Sequence, residues 1–221
     1  MFILTTLVAI ACSWYAYEMR AAAKRRRAIA ELAELGGIVG YYDPSNPDAF
    51  GDPPGWLSWL RILHGDEQLG NAVAVHSVYT RFPDAGLVHI IDLDNLEKLN
   101  LMGTQISGDG LVHLRGLEKL EHLNLMDTQI TDSGLVHLEG LTRLKVLDLN
   151  STQITDSGLV HLRHLTNLEE LHLTQTETTS AGMVHLEGLA NLKYLEIQNW
   201  RVNRESVDKL QKSLPNCEIH R

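Results

Sequence analysis

The 221-residue chain is 44% hydrophobic and 21% charged, a composition that excludes an intrinsically disordered protein. Its two cysteines, Cys12 and Cys217, are too few for a disulfide framework or a cysteine-rich zinc site. The formal net charge of −9 argues against a nucleic-acid partner, because nucleic-acid-binding domains normally present a basic face.

The first segment of the chain, Met1–Tyr17, contains no charged side chain. A helix of this length rises about 25 Å, close to the roughly 30 Å thickness of a bilayer core. The basic run Lys24–Arg27 follows, and the positive-inside rule places it on the cytoplasmic side. This pattern predicts a single-pass membrane protein with an uncleaved transmembrane signal anchor over residues 1–19, membrane contact through residues 1–17 and a cytoplasmic C-terminal domain. A cleaved signal, a lipoprotein and a buried helix are the alternatives.

Two segments connect the predicted anchor to the rest of the chain. Residues 20–36 are rich in Ala, Arg, Glu and Leu, which predicts a basic juxtamembrane helix ended by Gly36-Gly37. Residues 37–71 are predicted to be a linker and an N-terminal cap. In this range, Asp43–Gly55 holds four of the six prolines and predicts an irregular loop, and Trp56–Leu63 predicts a short amphipathic helix that covers the following domain.

From Thr80 onward the sequence repeats every 24 residues. The copies beginning at Thr104, Thr128 and Thr152 read TQISGDGLVHLRGLEKLEHLNLMD, TQITDSGLVHLEGLTRLKVLDLNS and TQITDSGLVHLRHLTNLEELHLTQ. Each period contains the pattern L-x-x-L-x-L-x-x-T-x-I. A single unit of this length cannot bury its leucines alone, so the units must stack into a continuous core with covered ends.

The spacing of the leucines predicts the elements of each repeat. The last two leucines of L-x-x-L-x-L lie two residues apart and point to the same side of a strand, so stacked repeats form a parallel sheet. The next segment, D/S-x-G-L-V-H-L, has apolar residues at i and i+3 and predicts a short helix on the opposite side, with Thr131 and Thr155 as N-caps. We therefore predict an α/β solenoid over residues 72–221, with a parallel sheet on its concave face, short helices on its convex face and a C-terminal cap.

Two other columns recur at the same interval. Threonines lie where the chain leaves each strand, and their hydroxyls are expected to satisfy backbone groups of the turn. Glycines lie where neighbouring turns are expected to pack too closely for a side chain. The glycine column consists of Gly86, Gly110, Gly134, Gly158 and Gly182.

The repeat pattern resembles the leucine-rich-repeat signature, with Thr where Asn or Cys is commoner. The phrase TDSGLVHL (Thr131–Leu138) is similar to the F-box-associated, cysteine-containing subclass of these repeats. The layout, including Leu35–Val39 and Trp59–Gly65, resembles a membrane-anchored leucine-rich-repeat family of planctomycete-type bacteria. The resemblance implies a leucine-rich-repeat solenoid that binds protein. Its F-box branch implies a ubiquitin-ligase-adaptor-like protein, although no F-box-like helical segment precedes residue 72.

The sequence contains no motif for catalysis. The patterns G-x-S-x-G, a glycine-rich phosphate loop and H-E-x-x-H do not occur, so we predict that the protein is not an enzyme and has no cofactor. A column of histidines lies on the predicted convex helices, whose axes are about 8–10 Å apart. Metal–nitrogen bonds of about 2.0–2.1 Å require closer ligands, so we predict a surface or groove-filling role and no metal. The column consists of His89, His113, His137, His161 and His185.

The strand positions between the leucines differ from repeat to repeat and face the concave side. We predict that this face binds a protein or peptide, and that its acidic C-terminal half favours a basic one. The alternatives are a metal- or small-ligand-binding module at the acidic and histidine-containing part of the face, and a purely structural envelope protein. The predicted partner-binding residues are His122, Asn124, Val146, Asp148, Asn150, Glu170, His172, Thr174, Tyr194, Glu196 and Gln198.

Overall fold

The computed structural model describes residues 2–41, 72–198 and 200–221. Eight strands form one sheet in chain order; β1 pairs antiparallel with β2, and all later neighbours are parallel. The predicted loop Asp43–Gly55 and the predicted helix Trp56–Leu63 lie outside the described residues. The strands are β1 (Ile38–Tyr41), β2 (Ala72–His76), β3 (Lys98–Asn100), β4 (His122–Asn124), β5 (Val146–Asp148), β6 (Glu170–His172), β7 (Tyr194–Glu196) and β8 (Glu218–His220).

The register of the sheet follows the 24-residue repeat. Leu123 of β4 aligns with Leu147 of β5, which aligns with Leu171 of β6. All three side chains are 0% exposed, and they belong to one continuous core that runs the length of the solenoid. The predicted parallel sheet and its buried leucine face are confirmed.

The segments on the far side of the core are mostly 3₁₀ helices. The α-helices there are α2 (Asp132–Leu135), α3 (Asp156–Leu159) and the longer α4 (Arg204–Ser213). The predicted helices are therefore confirmed in position, but a stretch this short closes with i→i+3 bonds more readily than with a full α-helical turn. The 3₁₀ segments are Asp84–Asp92, Gly110–Leu114, Val136–Leu138, Val160–His164 and Gly182–Leu186.

The two predicted N-caps differ. The Thr155 hydroxyl accepts a hydrogen bond from the Ser157 N–H at 3.2 Å, as predicted. Thr131 also occupies the predicted N-cap position, but its side chain makes no capping bond, and its hydroxyl instead lies 3.1 Å from the Ser133 hydroxyl.

The first helix, α1 (Phe2–Glu34), closes the N-terminal end of the core. Ala28 and Leu32 are 2% and 0% exposed and join the leucine core, and Arg25 pairs with Asp94 at 3.2 Å. Just beyond Glu34, the Gly37 N–H donates to the Leu32 carbonyl and Gly36 has a φ of +84°, which is the αL helix terminus that glycine favours. The sequence predicted capping by residues 37–71 and did not predict this contribution from α1.

No helix in the part of the chain that the structure describes is sufficiently long and apolar to cross a membrane. The transmembrane anchor predicted over residues 1–19 therefore finds no support in the structure. The segment forms one uninterrupted helix with the basic residues that follow it.

The turns after β2–β6 share one backbone form. One residue in each of these five turns has a positive φ, between 52° and 65°: Tyr79, Gly103, Asp127, Ser151 and Gln175. The next residue is a threonine in each turn. The hydroxyls of Thr104, Thr128, Thr152 and Thr176 donate to the carbonyl three residues earlier at 2.5–2.8 Å, whereas that of Thr80 contacts the Ser77 hydroxyl. The predicted role of these buried threonines is confirmed.

A ladder of aspartates joins successive repeats. The carboxylate of Asp132 accepts from both the N–H and the hydroxyl of Thr155, at 2.8 and 2.6 Å. Asp84 holds Ser107 in the same way, and Asp156 holds Thr179. These carboxylates also fill the space beside the glycine column. A Cβ on Gly158 would lie 2.4 Å from Asp132 Oδ1, which confirms that this turn has no room for a side chain.

Candidate functional site on the concave face

The candidate site is the concave face, meaning the side of β2–β8 that points away from the leucine core. Three columns of side chains cross it. The predicted residues are half-buried, except for Glu170 and Gln198, which are exposed. They occupy β4 (His122, Asn124), β5 (Val146, Asp148), β6 (Glu170, His172), β7 (Tyr194, Glu196) and the turns after β5, β6 and β7 (Asn150, Thr174, Gln198).

The N-terminal half of the concave face holds a shallow cavity of about 220 Å³. Its lining includes His76, Lys98, His122 and Val146. Burial and the nearby Lys98 ammonium lower the pKa of His76 and of His122. Both effects disfavour the imidazolium form, so this half combines neutral imidazoles with a single lysine.

The C-terminal half is organised around Tyr194. Its ring lies between those of His172 and His220, with centroids 5.4 and 4.9 Å away. His172 Nδ1 is 2.9 Å from Glu196 Oε2, and His220 Nε2 is 2.8 Å from Glu218 Oε1. The phenol ring is thus flanked by two imidazoles, at interplanar angles of 43° and 33°, and each imidazole contacts a carboxylate.

The sheet register places a carboxylate on each side of the tyrosine. Glu170 aligns with Tyr194 across β6 and β7, and Glu218 aligns with it across β7 and β8. Partial burial, together with Glu196, Glu218 and Glu170, raises the pKa of the Tyr194 hydroxyl. The phenol is therefore neutral at physiological pH, and the field around it is negative.

Some predicted binding residues also have a structural role that the sequence analysis missed. The side-chain amide oxygen of Asn124 accepts the N–H of Met126 at 2.9 Å, and the Asp148 carboxylate accepts the N–H of Asn150 at the same distance. The side-chain amide oxygen of Asn150 in turn accepts the Thr174 N–H from the next turn. The signal was the Asn or Asp that ends β3, β4 and β5, two positions before a turn residue.

A second polar surface, also missed, lies beside the start of the strands. It is an open groove of about 360 Å³ lined by Glu121, Arg143, Lys145, Asn167, Glu169 and Asn191. Lys145 pairs with Glu121 at 2.6 Å, and Lys193 pairs with Glu169. The hydrogen bond from Lys145 lowers the pKa of the Glu121 carboxyl. Its opposite charges are thus paired within the chain.

Metal-ligand geometry is not found in the described part of the chain. No group of three or more His, Cys, Asp or Glu side chains there is arranged to hold a metal ion. In the convex histidine column, His161 instead contacts Glu139 at 2.7 Å. The alternative of a metal-binding module at the acidic part of the concave face therefore finds no support among the described residues.

Two leucine-rich-repeat families match parts of the sequence. The family described as "Leucine Rich repeats (2 copies)" matches residues 118–163, and "Leucine Rich repeat" matches residues 94–114. No curated protein matches the chain.

The fold is similar to those of two solved bacterial proteins. An internalin (InlF) from Listeria monocytogenes has 22% identity and a TM-score of 0.47, over 75% of this chain and 54% of that one. Internalin C2 from the same species has 24% identity and a TM-score of 0.48, over 75% of this chain and 81% of that one. This chain thus spans about half the length of the first of these two proteins. The matched repeats and the eight-stranded, 24-residue-period sheet together establish a leucine-rich-repeat solenoid.

Proposed function

We propose that this protein is a non-enzymatic scaffold whose concave face binds a protein or peptide non-covalently. The observation that carries the proposal is the contrast between framework and face. Leucine, threonine and glycine columns repeat, whereas the aligned concave positions change from Val146 to Glu170 to Tyr194 across three adjacent strands. A scaffold that served only to stack repeats would need no such variation, but recognition of an irregular partner does.

The charge of the face favours a basic partner. Asp148, Glu170, Glu196 and Glu218 bring four carboxylates to β5–β8, and two of them contact histidines. A lysine- or arginine-bearing segment would offset the remaining charge, and complementary charge speeds association and selects partners. Tyr194, held between two rings, supplies the rigid aromatic surface typical of binding hot spots.

The experiment is affinity capture with the full chain, followed by binding measurements on charge-neutral variants. The combined change Asp148→Asn, Glu170→Gln and Glu196→Gln should weaken a captured partner at least about tenfold and reduce its salt dependence. The matched control is Glu121→Gln with Glu169→Gln, which removes two carboxylates from the open groove beside the start of the strands and should leave the affinity unchanged. Equal affinity for the folded triple variant and the parent would contradict the proposal.

Membrane attachment is a narrower proposal that rests on the hydropathy of Met1–Tyr17 alone. A chain with a bilayer-spanning segment would stay in the membrane during carbonate extraction. If the repeats are cytoplasmic, protease added to intact cells should not digest them. Release of the intact chain by carbonate would contradict membrane attachment.

The resemblances to the planctomycete-type family and to the F-box-associated subclass, with its adaptor role, rest on sequence motifs alone.

A further inference from the structure

The two edges of the sheet differ in how they are covered. At the N-terminal edge, β1 adds to β2 as an antiparallel strand, and α1 covers the core behind it. At the C-terminal edge, β8 pairs with β7, and no other described strand joins it. Unpaired strand edges are templates for pairing with another chain.

The backbone groups of β8 alternate between the two sides. The Glu218 N–H donates to the Lys193 carbonyl, and the His220 carbonyl accepts from the Ile197 N–H, both at 2.7 Å and both toward β7. Since consecutive residues of a strand direct their backbone groups to opposite neighbours, the N–H and carbonyl of Ile219 face outward. One donor and one acceptor are therefore presented side by side at the edge.

The side chains at this edge are those of an incompletely covered core. Leu147, Leu171 and Leu195 are 0% exposed, whereas Ile219, in the same column, is only partly buried. Helix α4 precedes β8 in the chain and packs against the 3₁₀ helix Gly182–Leu186. Among the described strands, β8 is the last one of the sheet. Proline and lysine, which commonly protect sheet edges, do not occur in β8.

We propose that β8 pairs antiparallel with β8 of a second copy of this chain, about a twofold axis at Ile219. The sequence Glu-Ile-His is complementary to itself in this arrangement: Ile219 faces Ile219, and each Glu218 faces His220 of the other copy. A twofold axis requires such a self-complementary surface, and a carboxylate directly across an antiparallel pair from an imidazole can accept its N–H. The two outward backbone groups of Ile219 then form two hydrogen bonds across the axis, which continues the sheet through both molecules.

Charge exchange across the axis tests the register. Sedimentation velocity of the full chain should show a concentration-dependent dimer. Glu218→Lys places lysine opposite histidine, and His220→Glu places glutamate opposite glutamate, so each single variant should weaken dimerisation about tenfold or more. The double variant places lysine opposite glutamate and should recover the dimer. A parent chain that stays monomeric near 1 mM, or a double variant that fails to recover, overturns the proposal.

Cysteine cross-linking gives a second measurement that does not depend on charge. Glu218→Cys in one preparation should form a disulfide with His220→Cys in another, because directly opposed residues have Cα atoms about 4.5–5.5 Å apart. Neither variant alone should cross-link to the same extent. Equal cross-linking of Glu218→Cys with itself, or none in the mixture, contradicts this pairing. Because the readout is self-association, it is independent of whether the concave face binds a partner.

Discussion

At the scale of single residues, the concave face uses the same positions for folding and for display. Asn100, Asn124 and Asp148 succeed one another in one column, and each accepts the backbone N–H two residues later. Asp148 differs from the two asparagines by its charge. Burial is the main cause that raises the pKa of its carboxyl, and Glu196 adds to it, against the opposing effects of the Asn150 N–H and His172.

Replacing this carboxylate by the amide of its neighbours should stabilise the fold at neutral pH. A carboxyl whose pKa is raised in the folded state contributes stability below its unfolded pKa of about 3.9, and that contribution is lost as pH rises through the folded value. Asp148→Asn keeps the acceptor and removes the charge, so it should gain on the order of a few tenths of a kcal/mol at pH 7 and nothing at pH 3. Urea unfolding at both values measures the difference.

The reverse substitution is the matched control. Asn124→Asp introduces the charge at the same place in the preceding repeat and should lose stability as pH rises from 3 to 7. If Asp148→Asn instead loses stability at pH 7, attraction between Asp148 and His172 outweighs the cost of burial.

Features that use the same residue type in every repeat could be predicted from the sequence, and features that do not could not. The threonine and glycine columns could be predicted because the same residue type returns at the same backbone position. The left-handed turn position could not, because Tyr79, Asp127, Ser151 and Gln175 share a backbone form but no side-chain type. The ring contacts of Tyr194 also depend on neighbouring strands. The position of Tyr194 on the sheet could therefore be predicted from the sequence, but its contacts with His172 and His220 could not.

At the scale of elements, the aspartate ladder of Asp84, Asp132 and Asp156 ties three convex segments to the repeat that follows each of them. Asp132 is the only partner that the described hydrogen bonds give to the Thr155 N–H. Asp132→Ala would leave this part-buried donor unsatisfied and also remove the bond from the Thr155 hydroxyl. We expect a loss of about 1–3 kcal/mol in the free energy of unfolding, against less than about 0.5 kcal/mol for the exposed neighbour in Ser133→Ala. Similar small losses for both variants would show that the ladder contributes little.

Helix α1 is the element whose role the sequence concealed. The basic run Lys24–Arg27 lies beside the apolar positions that face the first repeat, so that part of the helix does not look like a core element. The most hydrophobic part of the helix is its N-terminal end. If Ala28 and Leu32 belong to the core, Leu32→Ala should cost about 2–5 kcal/mol, as core truncations do. Glu34→Ala, at an exposed position two residues later, should cost less than about 0.5 kcal/mol. Equal unfolding midpoints in urea for the two variants would remove α1 from the core.

At the scale of the whole molecule, each repeat contacts its neighbours, so stability is transmitted along one axis. The predicted solenoid is correct for this reason: a 24-residue period leaves few ways to bury a leucine column. The N-terminal end was harder to predict, since α1 does not follow the repeat. Its packing depends on contacts between residues that are distant in the sequence and outside the 24-residue pattern.

One-dimensional stacking predicts that position along the axis decides how far a defect spreads. Leu147→Ala, in the central strand β5, should cost about 2–5 kcal/mol and lower amide protection in the repeats on both sides. Leu210→Ala truncates a core residue of comparable burial in α4, yet should lower protection mainly in α4, β7 and β8. Lys145→Ala, which removes only a surface ion pair with Glu121, should cost no more than about 1 kcal/mol. Hydrogen exchange measured by mass spectrometry distinguishes these patterns. If Leu210→Ala lowers amide protection in β3 and β4 as much as Leu147→Ala does, the solenoid opens as a single unit and the prediction is wrong.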